Sequence, residues 1–374
     1  MRLVIAGGGT GGHVSPALAT IEALRRRAPL DLLWIGTSDG VECRAATERG
    51  IPFRAIQAGK LRRYFSVENA VDLGRIPVGV AQAAVALRRF RPDVVFGTGG
   101  FVSVPSVAAA ALLRYPVLIH EQTAQFGLAN RLNLRFARVV ALPYEASRAY
   151  LPPTSQRVVV TGNPVRADLL HGDRREGARL LGFDPDIPTI YATGGARGAH
   201  VINEAIGALL PDLLRRYQLV HQCGPNANNG DYARLTALAA SWSPELRVRY
   251  ALREFVGAEL PHVYALASLV IGRAGAGTVT ELAALGKPAI LIPLPGTGGD
   301  EQTKNARLLA DAGAAVHLPE HALTAHDLEE IVDRLFALPG ELDRMGAAAR
   351  TQARPDAAEL LADELLRLGI GPRV

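Results

Sequence analysis

The sequence predicts an α/β protein made of two successive doubly wound parallel sheets. Three observations lead to this fold class. The chain has 374 residues, enough for two cores, apolar strand-like runs alternate with helical patterns, and glycine-rich turns follow several of those runs. Strands that alternate with helices form parallel sheets covered on both faces. We therefore expect two Rossmann-like domains, the first over residues 1–163 and the second over residues 164–355.

The predicted strands fall into two series, separated by the segment Thr-Gly-Asn-Pro at 161–164. Each is a short apolar run bounded by turn or helix signals. In the first series they span 3–6, 32–35, 94–96, 117–119, 139–141 and 158–160, and in the second 189–193, 218–223, 247–251, 269–271, 289–292 and 315–317. Helical patterns include 16–27 and 80–90, and an amphipathic helix is predicted over 356–368.

Composition is typical of a soluble globular protein, with 48% apolar and 21% charged residues. Only Cys43 and Cys223 are present, so we expect no disulfide framework and a reducing cytosol. The first apolar run leads directly into glycines and is too short for a secretory signal. The longest apolar region, 101–119, contains two prolines and an arginine, which argues against a membrane span.

Charge is distributed unevenly. Residues 1–170 carry 21 Lys and Arg against 11 Asp and Glu, which indicates an anionic partner for the first domain. No nucleic-acid-binding motif is found, so we do not expect a nucleic acid. Cations alternate with apolar residues at 60–65, 76–78 and 88–91, a pattern that suits an anionic phospholipid surface as well as an ordinary solvated face.

The first glycine turn occupies residues 7–12, directly after the first strand. Its Gly-x-Gly-x-x-Gly spacing, with Asp39 after the second strand, keeps a dinucleotide-dependent dehydrogenase open. His13 lies beside this turn. A histidine at the carboxyl end of a parallel sheet can serve as a general base near neutral pH, and the alternative is a capping or packing role.

A second glycine turn, within residues 272–281, joins a buried strand to a helix. Such a turn directs free backbone N–H groups and the positive end of the helix dipole toward an anion, here a diphosphate. No Lys-Ser/Thr pair follows the glycines, which excludes an ATP-hydrolysing P-loop. Glu281, one turn into the helix, is a candidate for binding ribose hydroxyls, and a tight turn without a ligand is the alternative.

Two further glycine turns occupy residues 96–101 and 193–199. Four such turns in two sheets indicate that both the donor and the acceptor of a transfer reaction carry phosphates. Arg197 is a candidate for bidentate phosphate binding or an ordinary surface arginine.

Polar residues at the ends of other elements are further candidates. Glu121 follows a predicted strand and would orient a base, bind a sugar hydroxyl or form a structural ion pair. Gln302 and Asn305 begin a helix and suit recognition of sugar hydroxyls. The only Asp-x-Asp, Asp184-Pro185-Asp186, has the composition of a turn, so we expect no metal site.

Five motifs carry a resemblance to a known family. They are Gly-Thr-Gly-Gly-His-Val at 9–14, His-Glu-Gln at 120–122, Thr-Gly-Asn-Pro-Val-Arg at 161–166, the turn and helix start at 272–281, and Gln302-x-x-Asn305-Ala306. Together they resemble the MurG family, the lipid-linked N-acetylglucosaminyltransferases of peptidoglycan synthesis. The resemblance implies the GT-B fold, in which two Rossmann-like domains face a cleft and the last helix, here 356–374, packs back on the first domain.

The resemblance also implies a reaction and a location. An inverting transfer would move N-acetylglucosamine from UDP-N-acetylglucosamine to the 4-hydroxyl of the muramyl sugar of lipid I, giving lipid II, without a cofactor or a metal. The partners would be these two substrates and an anionic membrane surface. The protein would lie peripherally on the cytoplasmic face of the inner membrane.

Site residues follow from the same resemblance. It implies that Thr10, Gly11 and Gly12 bind the donor sugar and the acceptor diphosphate, with His13 beside them. The acceptor hydroxyl needs a base, for which His13 is the first candidate and Glu121 the second. The residues implied in donor binding are Arg166, Val256, Ala276, Gly277, Thr278, Val279, Thr280, Glu281, Gln302 and Asn305.

Two departures from the family pattern leave alternatives open. Thr123 stands where the family usually has Asn, and Ala196-Arg197 where it usually has Ser-Gln. Each change would remove a side-chain hydrogen bond to a substrate, worth about 0.5–1.5 kcal/mol. A 2-epimerase or a transferase with another acceptor, and a nucleotide-sugar-binding protein without turnover, therefore remain alternatives.

Overall fold

The computed structural model describes residues 1–59, 67–296 and 299–370. The chain divides into two compact units. Unit 1 consists of Met1–Arg166 together with Arg354–Val374, and unit 2 of Ala167–Ala353. The first segment of unit 1 ends at Arg166, three residues after the predicted end of the first domain at residue 163.

Unit 1 is built on a seven-stranded parallel sheet. Its strands are β1 (Arg2–Gly7), β2 (Asp31–Gly36), β3 (Phe53–Ala55), β4 (Val94–Gly99), β5 (Val117–His120), β6 (Val139–Leu142) and β7 (Arg157–Val160). They lie in the order β3-β2-β1-β4-β5-β6-β7. Because all pairs are parallel, the loops that follow the neighbouring strands β1, β4 and β5 leave the sheet at the same edge.

Helices cover both faces of this sheet. They include α1 (Gly11–Arg25), α2 (Val41–Glu48), α3 (Val67–Phe90), α4 (Ser103–Leu112) and α5 (Leu128–Asn133). Side chains alternate between the faces along β1: Leu3 and Ile5 pack in a cluster with residues of α1, whereas Val4 and Ala6 pack with residues of α3 and α4. Two buried apolar layers therefore hold the sheet in place.

Unit 2 has the same architecture with six parallel strands. They are β8 (Thr189–Thr193), β9 (Gln218–Gln222), β10 (Tyr250–Arg253), β11 (Ala267–Gly272), β12 (Ala289–Leu291) and β13 (Ala315–His317), in the order β10-β9-β8-β11-β12-β13. Its helices are α6 (Arg174–Leu181), α7 (His200–Arg216), α8 (Asn226–Asn229), α9 (Asp231–Ala240), α10 (Pro244–Arg247), α11 (Leu260–Leu266), α12 (Ala276–Leu285), α13 (Glu301–Asp311), α14 (Ala325–Ala337) and α15 (Glu341–Thr351).

The final helix, α16 (Ala357–Ile370), belongs to unit 1. Leu361 and Leu365 are fully buried in the cluster that also contains residues of α1. The buried carboxylate of Glu364 accepts two hydrogen bonds from the Arg157 guanidinium, at 2.7 and 2.8 Å. Apolar packing and a bidentate ion pair thus fix α16 on the unit that begins the chain.

The predicted alternation of strands and helices is confirmed, with three corrections. Strand β3 was not predicted because it has three residues, two of them exposed, at the sheet edge. The strand expected at 247–251 begins at Tyr250, since Arg247 ends helix α10. Helix α1 begins at Gly11 rather than near Pro16, because the proline is accommodated inside the helix at the loss of one backbone hydrogen bond. Within the described ranges, none of the helices combines the length and apolar character needed to cross a bilayer.

Candidate active site

A buried carboxylate holds the first glycine turn. Glu42 is fully buried, and its Oε2 accepts the Gly9 N–H at 2.9 Å, while its Oε1 accepts the N–H and hydroxyl of Thr37 at 2.9 and 2.8 Å. A side chain at Gly8 would place its Cβ 2.1 Å from the Glu42 carboxyl carbon. Asp39 is exposed instead. The acid nearest this turn therefore binds protein N–H groups, which argues against the ribose-binding acid of a dehydrogenase.

The apex of the same turn is open to solvent. Thr10 and Gly11 are exposed, and Gly12 is half-buried. Thr10 occupies the N-cap of α1 in an extended conformation, and in the described part of the chain its side chain makes no capping hydrogen bond. The first N–H groups of α1 and the positive end of its dipole therefore face outward, an arrangement that binds anions.

His13 is the third residue of α1 and is held by residues at the end of β4 and just after β5. Its Nδ1 lies 2.8 Å from the Gln122 Oε1. A Cβ at Gly99 would lie 3.1 Å from the His13 Cε1 and Nδ1, and one at Gly100 would lie 2.4 Å from the Gly8 carbonyl oxygen. The glycines of the turn at 96–101 therefore make room for the His13 ring and for the first glycine turn. This steric requirement explains Gly99 and Gly100 without a bound phosphate.

Glu121, the second candidate for the base, is buried, and both of its carboxylate oxygens accept hydrogen bonds. Its Oε1 accepts the N–H groups of Gln122 and Thr123 at 3.0 and 3.1 Å and lies 3.0 Å from the Thr123 hydroxyl. Its Oε2 accepts the Gly127 N–H at 2.9 Å and the Asn130 amide at 3.0 Å. Four N–H groups donate to this one carboxylate, which favours the structural alternative over proton transfer. Thr123 contributes to this arrangement through its backbone and side chain.

In unit 2, the loop after β11 leads into the uncapped start of α12. Gly275 is the N-cap residue, so no side chain of the described ranges caps the helix, and Val279 is the first-turn residue whose N–H bonds back to Gly275, at 3.0 Å. The N–H groups of Ala276, Gly277 and Thr278 lie in the turn before it. They form the kind of helix N-terminus that binds a phosphate.

The loop before α12 is held from two sides. The Asn305 amide is buried and donates to the Ala274 carbonyl at 3.1 Å. Arg273 forms an ion pair with Glu320 at 2.5 Å and donates to the Ile292 carbonyl at 3.2 Å. Asn305, predicted to contact the donor, thus also supports the loop that would cradle it.

Other predicted donor residues make structural bonds of their own. The Gln302 Oε1 accepts the Leu294 N–H at 3.0 Å, and the Thr280 hydroxyl donates to the Ala276 carbonyl at 2.7 Å. Arg166 is half-buried at the end of its segment of unit 1. In the turn after β8, Ala196 is exposed at the surface.

Gln222 connects two predicted donor-binding segments, and the sequence did not single it out. Its buried side chain accepts the Val256 N–H at 2.8 Å and donates to the Gly195 carbonyl at 3.0 Å and the Thr193 hydroxyl at 3.1 Å. The Val256 N–H is thereby occupied within the protein. Because β9 lies between β8 and β10, a side chain at its end reaches both loops.

Glu281 also has a partner that sequence patterns did not indicate. The Tyr264 hydroxyl donates to the Glu281 Oε2 at 2.9 Å. Tyr264 is buried against Tyr191, with the rings edge to face and their centroids 5.5 Å apart. Burial raises the pKa of Tyr191. A tyrosine 17 residues from an acid carries no sequence signal, because the contact depends on how α11 packs.

The Asp184-Pro185-Asp186 segment forms a turn. The Asp184 carboxylate accepts the Asp186 N–H at 2.8 Å, and the Asp184 N–H donates to Gln218 at 2.7 Å. These two bonds hold the backbone of the turn, so the segment has a structural role.

The structure gathers the predicted residues into two groups, one per unit. In unit 1, Thr10, Gly11, Gly12 and His13 lie beside Gln122 at the carboxyl edge of the sheet. In unit 2, the segments that contain Val256, Ala196, Glu281 and Asn305 follow neighbouring strands or pack on them. In each group a helix, α1 or α12, begins without a side-chain cap from any residue that the structure describes.

Comparisons with known proteins cover nearly the whole chain. Residues 3–142 match the glycosyltransferase family 28 N-terminal domain, and residues 189–361 match its C-terminal domain. A curated relative from Halalkalibacterium halodurans is 39% identical over 96% of this chain and 98% of its own length. It is named UDP-N-acetylglucosamine--N-acetylmuramyl-(pentapeptide) pyrophosphoryl-undecaprenol N-acetylglucosamine transferase.

Solved structures agree with these matches. The crystal structure of Acinetobacter baumannii MurG is 30% identical, with a TM-score of 0.73, and the similarity covers 98% of this chain and 99% of that one. A UDP-GlcNAc 2-epimerase from Neisseria meningitidis is 18% identical, with a TM-score of 0.70 over 98% of this chain and all of that one. The second similarity shows the shared GT-B fold alone.

Proposed function

The chain belongs to the MurG family of glycosyltransferase family 28, and on that basis we propose that it transfers N-acetylglucosamine from UDP-N-acetylglucosamine to lipid I. The product is lipid II, the disaccharide-bearing lipid of peptidoglycan synthesis. The observation that carries this proposal is the identity of 39% along nearly the full length of a relative named for this reaction.

Unit 2 binds the donor in this proposal. The N–H groups of Ala276, Gly277 and Thr278 at the start of α12 hold the diphosphate and stabilise the negative charge that develops on the departing UDP. Glu281 accepts hydrogen bonds from the ribose hydroxyls, and the Val256 carbonyl accepts the N–H of the uracil ring. The neighbouring Val279 and Thr280 complete this helix turn.

Four residues complete the donor site in the proposal. Gln302 and Asn305 contact the sugar or phosphate, in addition to the loop bonds they already make. Arg166 supplies a positive charge, and the turn that contains Ala196 contacts the donor through its backbone. The substitution at Ala196 removes a side-chain contact and leaves this backbone in place.

Unit 1 binds the acceptor and provides the base. The open apex formed by Thr10, Gly11 and Gly12 binds the acceptor diphosphate at the start of α1. The His13 imidazole removes the proton of the acceptor 4-hydroxyl as that oxygen attacks the anomeric carbon of N-acetylglucosamine. The bond from the anomeric carbon to the UDP oxygen breaks on the opposite side, so the configuration inverts. UDP leaves with the electron pair, and the proton stays on His13.

Glu121 has a positioning role in this proposal. Its hydrogen bonds from four N–H groups fix the loop that begins at Gln122 and the start of α5. Thr123 lies in that loop, where its backbone and hydroxyl are directed to Glu121, so the substitution of the usual Asn is compatible with the loop's geometry.

Peripheral attachment to an anionic membrane is the second part of the proposal. Val78 and Val85 of α3 are 44% and 45% exposed, and Arg88 and Arg89 are exposed near the end of the same helix. Apolar side chains next to cations bind a headgroup surface, with about 1 kcal/mol for each cation. The basic segment at 60–65 lies outside the described residues. The acceptor is itself a membrane lipid, which makes the cytoplasmic face of the inner membrane the natural location.

Acceptor-dependent release of UDP tests the reaction. Purified protein is supplied with UDP-N-acetylglucosamine and a soluble lipid I analogue, and free UDP is measured with time. We expect release with this analogue and none with a matched analogue whose 4-hydroxyl is replaced by hydrogen. Epimerisation of the donor without an acceptor would instead identify a 2-epimerase, and donor binding without turnover would identify a binding protein.

A further inference from the structure

A chain of three hydrogen-bonded links connects the backbone after β7, at Gly162, to the His13 ring. The His120 ring donates to the Gly162 carbonyl, the Gln122 amide donates to the His120 carbonyl, and the Gln122 amide oxygen accepts from His13. His120 and Gln122 are buried, with exposures of 0% and 1%. In each link one partner can only accept, so the other partner must carry the hydrogen.

The first bond determines the tautomer of His120. The Gly162 carbonyl oxygen can only accept, so the His120 Nε2, 3.0 Å away, must carry hydrogen. The Gly162 N–H donates to the Leu142 carbonyl at 3.2 Å, which holds this acceptor in place. Burial lowers the pKa of His120 to about 4, so the ring is neutral near neutral pH and its Nδ1 has a lone pair.

The second bond determines the orientation of the Gln122 amide. Its Nε2 lies 2.8 Å from the Thr98 carbonyl oxygen, 2.9 Å from the His120 carbonyl oxygen and 3.1 Å from the His120 Nδ1. All three atoms are acceptors, and the two amide hydrogens are directed to the two nearer ones, the carbonyl oxygens of Thr98 and His120. The reversed amide would direct its oxygen at two carbonyl oxygens, so the nitrogen must face them and the oxygen must face His13.

The third bond then determines the state of His13. The Gln122 Oε1 can only accept, so the His13 Nδ1, 2.8 Å away, must donate. In the neutral ring Nε2 is consequently the atom with a free lone pair. We propose that Gln122, oriented by the carbonyls of Thr98 and His120, is a positioning residue that holds His13 as the Nδ1–H tautomer, so that Nε2 is the atom that accepts the acceptor's proton. This inference rests on the proposed function for its catalytic meaning, whereas the tautomer itself is a property of unit 1.

Nitrogen-15 NMR of the full-length protein tests the tautomer without any substrate. The chain contains nine histidines, and the His13 signals are assigned by their loss in His13→Gln. For the neutral form of the ring we expect a protonated, pyrrole-type signal for the His13 Nδ1 and an unprotonated, pyridine-type signal for Nε2. Signals that show the opposite tautomer, or an average of the two, would overturn the proposal even if transferase activity is present.

The variant Gln122→Met tests the positioning role. It removes the acceptor at Oε1, so we expect mixed tautomer signals for His13 and a kcat that is lower by about tenfold or more, with little change in the KM for the donor. Gln218→Met is the matched control. Gln218 is an equally buried glutamine with several hydrogen bonds, located at the start of β9 in unit 2.

The two Gln→Met variants separate positioning from simple loss of structure. Gln218→Met should lower the free energy of unfolding and leave the His13 signals unchanged. Unaltered His13 signals in Gln122→Met would contradict the proposal. If that variant does not fold, the wild-type spectrum alone decides the tautomer. Absence of UDP release by wild-type protein that shows the Nδ1–H tautomer would count against the proposed function only.

Discussion

The Tyr264 hydroxyl donates a hydrogen bond of 2.9 Å to the carboxylate of Glu281. The tyrosine is buried between α12 and β8, so its position is set by packing rather than by the ligand. A carboxylate that must accept hydrogen bonds from ribose benefits from being held in one rotamer before the nucleotide arrives. The pair therefore leads directly to a measurable effect on donor affinity.

Tyr264→Phe should weaken donor binding more than it slows the chemical step. The variant removes one hydrogen bond to a charged group, so we expect the KM for UDP-N-acetylglucosamine to rise about 3- to 30-fold, while kcat changes little. Steady-state kinetics and calorimetric titration with UDP provide the measurement. Tyr232→Phe, which removes a hydroxyl from α9 in the same unit, is the control. Equal KM values in Tyr264→Phe and wild type would contradict a positioning role for Tyr264.

His13→Ala should abolish most turnover and preserve donor binding. Loss of a general base lowers kcat by about 100-fold or more. The donor groups other than Arg166 lie in unit 2, and none of them is replaced, so UDP should bind His13→Ala with wild-type affinity in a calorimetric titration. His326→Ala, at an exposed histidine of α14, is the control and should retain full activity. A His13→Ala variant with most of its kcat would exclude His13 as the base.

Gly100→Ala should destabilise unit 1 by more than backbone strain alone. Gly100 has φ = +74°, and its added Cβ would lie 2.4 Å from the Gly8 carbonyl oxygen. The matched control is Gly50→Ala, at φ = +62° with open space around the Cβ. Both variants bear the left-handed backbone cost of about 1–2 kcal/mol. Gly100→Ala should lose a further ~1–3 kcal/mol of unfolding free energy through steric overlap, as measured by urea denaturation. Equal losses would contradict the close approach of the two glycine turns.

The free energy of unfolding should fall as the pH is lowered below about 6.5. Burial lowers the pKa of His120 to about 4 and that of His221 to about 3, whereas histidines of the unfolded chain titrate near their usual value of 6.5. The unfolded chain therefore binds more protons between these values. Each buried neutral histidine makes its full contribution to the free energy of unfolding above pH 6.5. As the pH falls toward the pKa of that histidine in the folded protein, the contribution decreases with a slope approaching ~1.4 kcal/mol per pH unit.

Urea denaturation at pH 7 and at pH 5 measures this slope. His221→Gln should reduce it, and the exposed His326→Gln should leave it unchanged. A free energy of unfolding that is the same at both pH values would contradict the lowered pKa values of the two buried histidines.

Binding to vesicles should depend on anionic lipid and on α3. We expect more protein to sediment with vesicles rich in phosphatidylglycerol than with neutral vesicles. Arg88→Glu should weaken this binding about fivefold or more, because it replaces a favourable charge by an unfavourable one. Arg175→Glu, at an exposed arginine of α6, is the matched control and should bind as wild type. Equal sedimentation with both kinds of vesicle would contradict the electrostatic attachment.

The sequence predicted the elements better than it predicted their contacts. Most strands were found because they are continuous apolar runs, and β3 was missed because three residues at an edge make no such run. His13 was found because it follows a glycine turn. Its partner Gln122 lies 109 residues away, so its role depends on β5 being next to β4 in the sheet. Sequence spacing contains no information about that neighbour relationship.

Buried polar residues that support the candidate site were the main omission. Glu42 and Gln222 resemble ordinary surface residues in the sequence, and only burial and register reveal that they bind backbone groups of the site. Glu121 illustrates the converse. Its position after a strand made it a candidate for catalysis, and the structure surrounds its carboxylate with donors from its own loop.

The attachment of α16 to unit 1 has a consequence for how the protein is made. Leu361 and Leu365 fill a buried cluster with α1, yet the ribosome synthesises them only after all of Ala167–Ala353. Unit 2 is one continuous stretch and can complete its fold while nascent unit 1 still exposes an apolar groove. During that interval the groove is a target for chaperones, and premature termination before α16 would leave it uncovered for good.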